Sequence, residues 1–326
     1  MEGKVKALIT GIDGFVGSHL TSLLLGEGTQ VFGLVHDMGR VHRLQAVADR
    51  VDLVPGDVTR SEDLARVLDR VMPDEIYHLA GAAHVQGSWE MRRATYEVNF
   101  LAAVNLFEAM KAVRSRARVL VVGSSHEYGT APSGLGEMPL SEDSPLRPLS
   151  PYAVSKVCQE MAAYQASHAE GLDIVMVRPF NHAGPGQDTS FVCADFAERV
   201  ARIARGEAPP TIEVGDLAPQ RDFTDVRDVV RAYRLLLARA PRGEVYNVCS
   251  GRPHSIGEVL NLLIGLAGRQ IEVREARGRF RAVEIPILVG SPDKIRKAVG
   301  WTPAIPFEQT LQDIYDFHVN LHRAGV

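Results

Sequence analysis

A short apolar strand that halts on a glycine and restarts as a helix leaves a chain few folds to choose from. Residues 4–10, Lys-Val-Lys-Ala-Leu-Ile-Thr, make an apolar run of strand length that Gly11 ends, and Gly14 and Gly17 follow at three-residue steps. An amphipathic stretch, residues 15–25, begins inside that glycine series. Glycine lets the backbone turn tightly and approach a ligand closely, and a helix N-terminus aimed at the turn stabilises negative charge. Strand, glycine turn and helix in this order predict the opening of a dinucleotide-binding βαβ unit, with Gly11, Gly14, Phe15, Val16 and Gly17 around the pyrophosphate.

The rest of the first half repeats the alternation. Strand-like runs recur at residues 30–35, 51–54, 75–79, 118–122 and 174–177, with helical patterns at 61–71, 91–113 and 152–168. This predicts an α/β fold, a Rossmann-type doubly wound parallel sheet with right-handed crossovers and ligands at the carboxyl ends of its strands. Those ends carry the unusual residues: Gly56-Asp57-Val58, Ala80-Gly-Ala-Ala83, Gly123-Ser-Ser-His126 and Arg178-Pro-Phe-Asn-His182. After about residue 181 the texture changes to Gly/Pro-rich loops, at 184–187, 208–210 and 251–253, with short helices between them. A smaller C-terminal α/β domain for substrate is expected there. The division reads as residues 1–180 and 181–326, with a segment near 223–240 packing back on the first domain.

At the end of the second strand, the place where NAD-preferring versions carry an acidic residue for the ribose 2′-OH is Val35, followed by His36, Asp37, Arg40 and Arg43. Basic groups without a carboxylate favour NADP(H) over NAD(H), with Asp37 still one step away from the ribose. Composition excludes other classes. A net charge of −4 with dispersed basic residues speaks against a nucleic-acid surface, and no apolar run approaches the 18 residues of a membrane span. Cys158, Cys193 and Cys249 lie far apart with no CxxC, so a reduced cytoplasmic protein without a metal site is expected. Of its 36 basic residues 30 are arginine, the side chain suited to bidentate phosphate contacts.

The chemistry sits in Ser150-Pro-Tyr-Ala-Val-Ser-Lys156. Pro151 suits the first turn of a helix, which places Tyr152 and Lys156, four apart, on one face. A phenol titrates near 10, and a neighbouring ammonium would draw it down, making Tyr152 an acid or base tuned by Lys156. With eight tyrosines and six lysines in 326 residues, only about 0.15 such pairs are expected by chance.

With the glycine series at the start, Ser124 at the end of the fifth strand and Tyr-x-x-x-Lys after it, the chain resembles the extended short-chain dehydrogenase/reductases over essentially its full length. Four stretches are similar to the branch acting on GDP-6-deoxyhexoses, which holds 4,6-dehydratases and 4-ketoreductases. They are Asn181-His-Ala-Gly-Pro-Gly-Gln187, Arg221-Asp-Phe-Thr-Asp-Val-Arg-Asp228, Tyr246-Asn-Val-Cys-Ser-Gly251 and Arg281-Ala-Val-Glu-Ile-Pro286. The resemblance implies an NAD(P)-dependent nucleotide-sugar oxidoreductase in which Ser124 hydrogen-bonds the reacting oxygen and Lys156 also holds the nicotinamide ribose. It puts His36 and Arg40 at the adenosine end, Asp57 and Val58 beside the adenine, and Leu79, Ala80 and Ala82 along the nicotinamide ribose. For the GDP-sugar it nominates Arg221 and Arg281 on the diphosphate, Asn181 on phosphate or sugar, and Glu284 on the nucleotide ribose. Ser88, Ser125, His126 and Glu127 complete the set at the hexose, a helix cap being the other reading of Ser88. Ala282 stands where the family usually has proline, which puts the rigidity of that loop in question.

One position separates the two activities. Dehydratases of this family carry Thr, then Asp or Ser, then a Glu that eliminates water; Ser124-Ser-His-Glu-Tyr-Gly129 puts Ser124 at the Thr place and His126 at the Glu place. The implied reaction is therefore reduction of the C4 ketone of GDP-4-dehydro-6-deoxy-D-mannose to GDP-D-rhamnose. The alternatives are 4,6-dehydration of GDP-mannose, C4 epimerisation, and a GDP-6-deoxy-talose product. A non-catalytic NADP-binding scaffold of this fold usually lacks the Tyr or the Lys, and both are present. The helices at 91–113 and 152–168 imply a homodimer through a four-helix bundle.

Overall fold

Runs of Val, Leu and Ile with few polar residues must be covered on both faces, and the first six strands are of this kind. They are β1 (Lys6–Thr10), β2 (Gln30–Val35), β3 (Val51–Pro55), β4 (Glu75–His78), β5 (Arg118–Val122) and β6 (Ile174–Pro179). They alternate with α1 (Phe15–Gly26), α2 (Ser61–Val71), α3 (Arg92–Tyr96), α4 (Ala102–Ala112) and α5 (Pro151–Glu170). The computed structural model describes residues 4–129, 139–275 and 285–323. Its second half runs β7 (Asn181–Ala183), α6 (Val192–Ala204), β8 (Thr211–Val214), β9 (Gln220–Asp225), α7 (Val226–Arg239) and β10 (Val245–Val248). After these come β11 (Pro253–Ser255), α8 (Ile256–Leu266), β12 (Glu272–Glu275), β13 (Ile287–Leu288), α9 (Asp293–Val299) and α10 (Phe307–Arg323).

Seven parallel strands form the main sheet in the order β10-β6-β5-β4-β1-β2-β3. The chain winds one way from β1 and the other way from β4, and the crevice between these two neighbours is where such sheets bind ligands. On one face Leu64, Val67, Leu106, Phe107 and Ala163 of α2, α4 and α5 close over Leu8, Ile76, Val119 and Ile174. On the other, Leu20, Leu24, Val229, Tyr233 and Leu236 of α1 and α7 close over Ile9, Leu120 and Val175. Each such buried aliphatic side chain contributes about 1.5–3 kcal/mol.

Residues 226–248 thus return to the first sheet. β10 escapes a reading by hydrophobic pattern, because it is only four residues long and Asn247 interrupts it. That asparagine is satisfied internally, accepting from Tyr128 Oη at 2.7 Å and donating to Leu140 O at 2.9 Å. α9 also joins the first core through Ile295 and Val299, and the other C-terminal elements gather around β9, which pairs with β7, β11 and β13, while β8 and β12 pair separately. Phe196, Val200, Leu260, Leu263, Phe307 and Leu311 fill the core there.

The single helix expected over residues 91–113 is broken. A π-helical turn, Glu97–Leu101, joins α3 to α4 and brings Asn99 to the buried side. Asn99 Oδ1 accepts from Ala82 N at 2.7 Å, and its Nδ2 donates to Ala82 O at 3.2 Å and Ser155 Oγ at 2.9 Å. The loop after β4 is thereby tied to α5.

Candidate active site

The glycine turn is built backbone against backbone. Gly11 has φ +72°, and a Cβ there would lie 2.9 Å from Ala80 N; at Gly17 a Cβ would lie 2.3 Å from Gly11 O. Gly14 opens α1 without a capping side chain, so the first N–H groups of the helix are left to the cavity it borders. Such a cradle fits a dinucleotide diphosphate.

A cavity of about 300 Å³ opens at the carboxyl ends of β1, β4, β5 and β6. Of the residues expected around a ligand, Gly11, Gly14, Phe15, Val16, Gly17, Leu79, Ala82, Ser124, Ser125, His126, Tyr152, Lys156 and Asn181 line it. Tyr152 and Lys156 share one face of α5 because Ser150 Oγ caps that helix, accepting from Ala153 N at 3.1 Å, with Pro151 at its first position. Burial pushes the Tyr152 phenol up to about 12, against a Ser124 hydrogen bond that draws it down. Burial brings Lys156 down to about 8. In this structure Lys156 is not among the groups that move the phenol. Lys156 Nζ is engaged with Val122 O at 2.8 Å and Gln159 Oε1 at 3.0 Å, and burial dominates the phenol. His126 stands edge-on to Tyr152, ring centroids 6.1 Å apart.

Glu127, expected at the hexose, faces away from the cavity. It is fully buried and forms a reciprocal cap with Ser124, whose N–H donates to Glu127 Oε1 at 2.6 Å. Behind it, Arg178 donates to both carboxylate oxygens of Glu160, at 2.8 and 2.6 Å, and its Nε lies 3.6 Å from Glu127 Oε2. Burial and the neighbouring Glu160 carboxylate hold the Glu127 carboxyl well above the usual range. Ser88 is likewise corrected. It is buried, and its hydroxyl donates to Val85 O and accepts from Tyr152 N at 3.2 Å, so it fastens the start of α5 and does not line the cavity.

His36, Asp57, Val58 and Ala80 do not line this cavity either. His36 Nδ1 lies 3.6 Å from Asp57 Oδ2 at the ends of β2 and β3, and Ala80 N donates to Thr10 Oγ1 at 3.2 Å. Asp37 Oδ1 accepts from Gly39 N at 2.9 Å and so caps the turn Met38–Arg40. Arg221 is buried on β9, its Nη1 donating to Gln220 O at 2.8 Å, away from the cavity wall. Arg281, Glu284 and the Arg40 side chain lie outside the described residues. The cavity also takes in His182 and Gln187, from the Asn181–Gln187 stretch, and Phe191 and Tyr233, which stand in no motif singled out in the sequence.

A phenol and an ammonium on one helix face, opposite a serine at the end of β5 and beside a glycine cradle, define a short-chain dehydrogenase/reductase. Within that class the chain belongs to the GDP-mannose 4,6-dehydratase family, whose pattern matches residues 8–314. GDP-6-deoxy-D-mannose reductase from Pseudomonas aeruginosa is 35% identical over 95% of this chain and 95% of its own length. GDP-mannose 4,6 dehydratase 2 from Arabidopsis thaliana is 30% identical, over 98% and 88%. Among solved structures, RMD from Pseudomonas aeruginosa complexed with NADPH superposes with a TM-score of 0.84 at 32% identity, covering 98% of this chain and 100% of that one. UDP-glucose 4-epimerase of Thermus thermophilus in complex with NAD gives 0.85 at 31%, over 99% and 100%. The chain is an NAD(P)-dependent oxidoreductase of the nucleotide-sugar group.

Proposed function

We propose that this chain reduces the C4 ketone of GDP-4-dehydro-6-deoxy-D-mannose to GDP-D-rhamnose, with NADPH preferred over NADH. The observation that carries the reading is the make-up of the cavity: among its described lining residues there is no aspartate and no glutamate. Eliminating water across C5 and C6 requires an acid/base group besides the phenol. His126 occupies the family position for it, and the adjacent Glu127 is turned into the protein. Incubation with GDP-mannose and NADP⁺ is expected to yield no 4-keto sugar; accumulation of the ketone would establish the dehydratase instead.

Bound NADPH supplies the hydride that C4 receives. Tyr152, protonated at neutral pH, gives its proton to the oxygen as charge develops there. Ser124 Oγ accepts from His126 N at 3.2 Å, which leaves the hydroxyl hydrogen for Tyr152 and the substrate oxygen. Lys156 holds the nicotinamide ribose beside Leu79 and Ala82. Asn181, whose Oδ1 has no hydrogen-bond partner among the described residues, accepts there from a sugar hydroxyl, while its Nδ2 is the atom that could donate to a phosphate. Arg221 and Arg281 serve the diphosphate, and Glu284 the nucleotide ribose. NADPH is favoured because the Asp37 carboxylate is drawn into its cap while His36 stays exposed at the end of β2. Residues 1–180 carry the dinucleotide and 181–326 the nucleotide sugar, with 223–240 serving the first unit.

A pH dependence follows. Lys156 is pushed down from 10.5 to about 8, so its ammonium is lost as pH rises through that value. Since kcat/KM for NADPH reports ionisations of the free enzyme, it is expected to be level below about pH 7 and to fall above about pH 8. A profile level to pH 10 would remove the charged lysine from the account.

The same reading includes a homodimer. Met91, Leu101, Met161 and Tyr164 are exposed on or next to α3, α4 and α5. Large apolar groups exposed on neighbouring helices suit an association surface, and a two-fold bundle of these helices would cover them. Light scattering is expected to give twice the chain mass, and Leu101→Glu with Met161→Glu to give a monomer.

A further inference from the structure

Tyr233 is a buried hydroxyl that folding does not use. It lies on the face of α7 turned to the sheet, its side chain wholly buried, and it borders the same cavity as Gly11, Val122, Lys156 and Pro179. Its Oη has no hydrogen-bond partner among the described residues. Buried polar groups are normally paired, and phenylalanine would fill the same space with no polar atom to satisfy. Placing a tyrosine there is a local conflict of the kind that collects at functional sites. Burial, with the Tyr152 phenol nearby, holds the Tyr233 phenol well above its ordinary value, so it is a donor at any working pH.

The chemical class of its partner follows from the order of groups along a dinucleotide. This step rests on the cofactor reading above. With the diphosphate on Gly11, Gly14 and Gly17 and the ribose at Ala82 and Lys156, the nicotinamide is left the part of the cavity beyond them, whose lining includes Val122, Pro179 and Tyr233. The one hydrogen-bonding group on that ring is its carboxamide. From this we infer that the Tyr233 hydroxyl donates to the carboxamide oxygen of the nicotinamide and fixes the rotation of the ring against Ser124 and Tyr152. Tyr233 is then a cofactor-positioning residue contributed by α7, which no sequence motif announces.

The test is calorimetric titration of the wild type and Tyr233→Phe with two ligands: the reduced dinucleotide that the wild type binds more tightly, and the matching ADP-ribose, which lacks the nicotinamide. One neutral hydrogen bond is expected to raise the Kd of the variant for the dinucleotide about five- to tenfold. The Kd for the ADP-ribose should stay unchanged, and the thermal midpoint of the ligand-free variant should be unchanged or higher. Equal weakening of both ligands, no weakening of either, or a lowered midpoint would overturn the assignment. A wild type that binds neither NADPH nor NADH would instead remove the cofactor reading itself, and the wild-type titration alone separates that outcome.

Discussion

Tyr152→Phe is expected to lower kcat by about 10²–10⁴-fold while leaving the affinity for NADPH within about twofold. The substitution removes one oxygen. In the ligand-free protein the Tyr152 phenol meets Ser124 and stays protonated, with its ionisation pushed up to about 12, so what is lost is the proton that the nascent alkoxide would have taken. In the proposed reading cofactor binding rests on the glycine turn and on Lys156, and α5 keeps its caps at Ser150 and Ser88, since both engage backbone groups. Stopped-flow measurement of nicotinamide oxidation separates the two effects. A loss below tenfold would mean that another group delivers the proton, and His126, edge-on to the same ring, would be the first to replace in turn.

The second large effect is on stability. Arg178 is the one guanidinium between two buried carboxyl groups, Glu127 and Glu160, and it also donates to Tyr128 Oη at 2.9 Å. Removing one partner of a buried ion pair leaves an uncompensated charge, which costs about 3–5 kcal/mol. Arg178→Met is therefore expected to lower the thermal midpoint by about 4–7 °C. Part of that loss should return in Arg178→Met with Glu160→Gln, because the second change removes the orphaned charge. Since Glu127 holds the Ser124 backbone, the single variant should also lose activity beyond what unfolding explains. A midpoint unchanged by Arg178→Met, read by calorimetry, would contradict the role of this cluster beneath the site.

Much of the fold is legible in the chain because its signals are local. The glycine series and the runs of branched residues specify strand, turn and helix from a few neighbours. Pro151 with Tyr152 and Lys156 carries its own geometry in the spacing of a helix. What escaped depends on partners distant in sequence. Asn99 looks like one polar residue in a long helical pattern, and only the loop at Ala82 and Ser155 of α5 explain the π turn around it. Val245–Val248 becomes a strand because β6 is beside it. Ser88 and Glu127 are themselves the residues expected at the hexose, yet the hydroxyl and the carboxylate each take a backbone N–H. For Glu127 that partner is three residues away and for Ser88 it is 64 away, and both bonds form without any ligand. Tyr233 has no signal at all in sequence, since its phenol fits the apolar stripe of α7 as well as a phenylalanine would.

The most direct test of the central claim uses GDP-4-dehydro-6-deoxy-D-mannose with NADPH deuterated at the transferable position of the nicotinamide, NADH being compared in parallel. The expected result is stoichiometric loss of NADPH absorbance and loss of the H4 signal of GDP-D-rhamnose to deuterium, the sugar being identified by NMR from the large H3–H4 and H4–H5 diaxial couplings of the product made in parallel with unlabelled NADPH. Conversion of GDP-mannose to the 4-keto sugar with no net loss of NADPH would contradict the account, because elimination would then proceed at a wall whose described residues include no carboxylate, with His126 at the place of the family's acid.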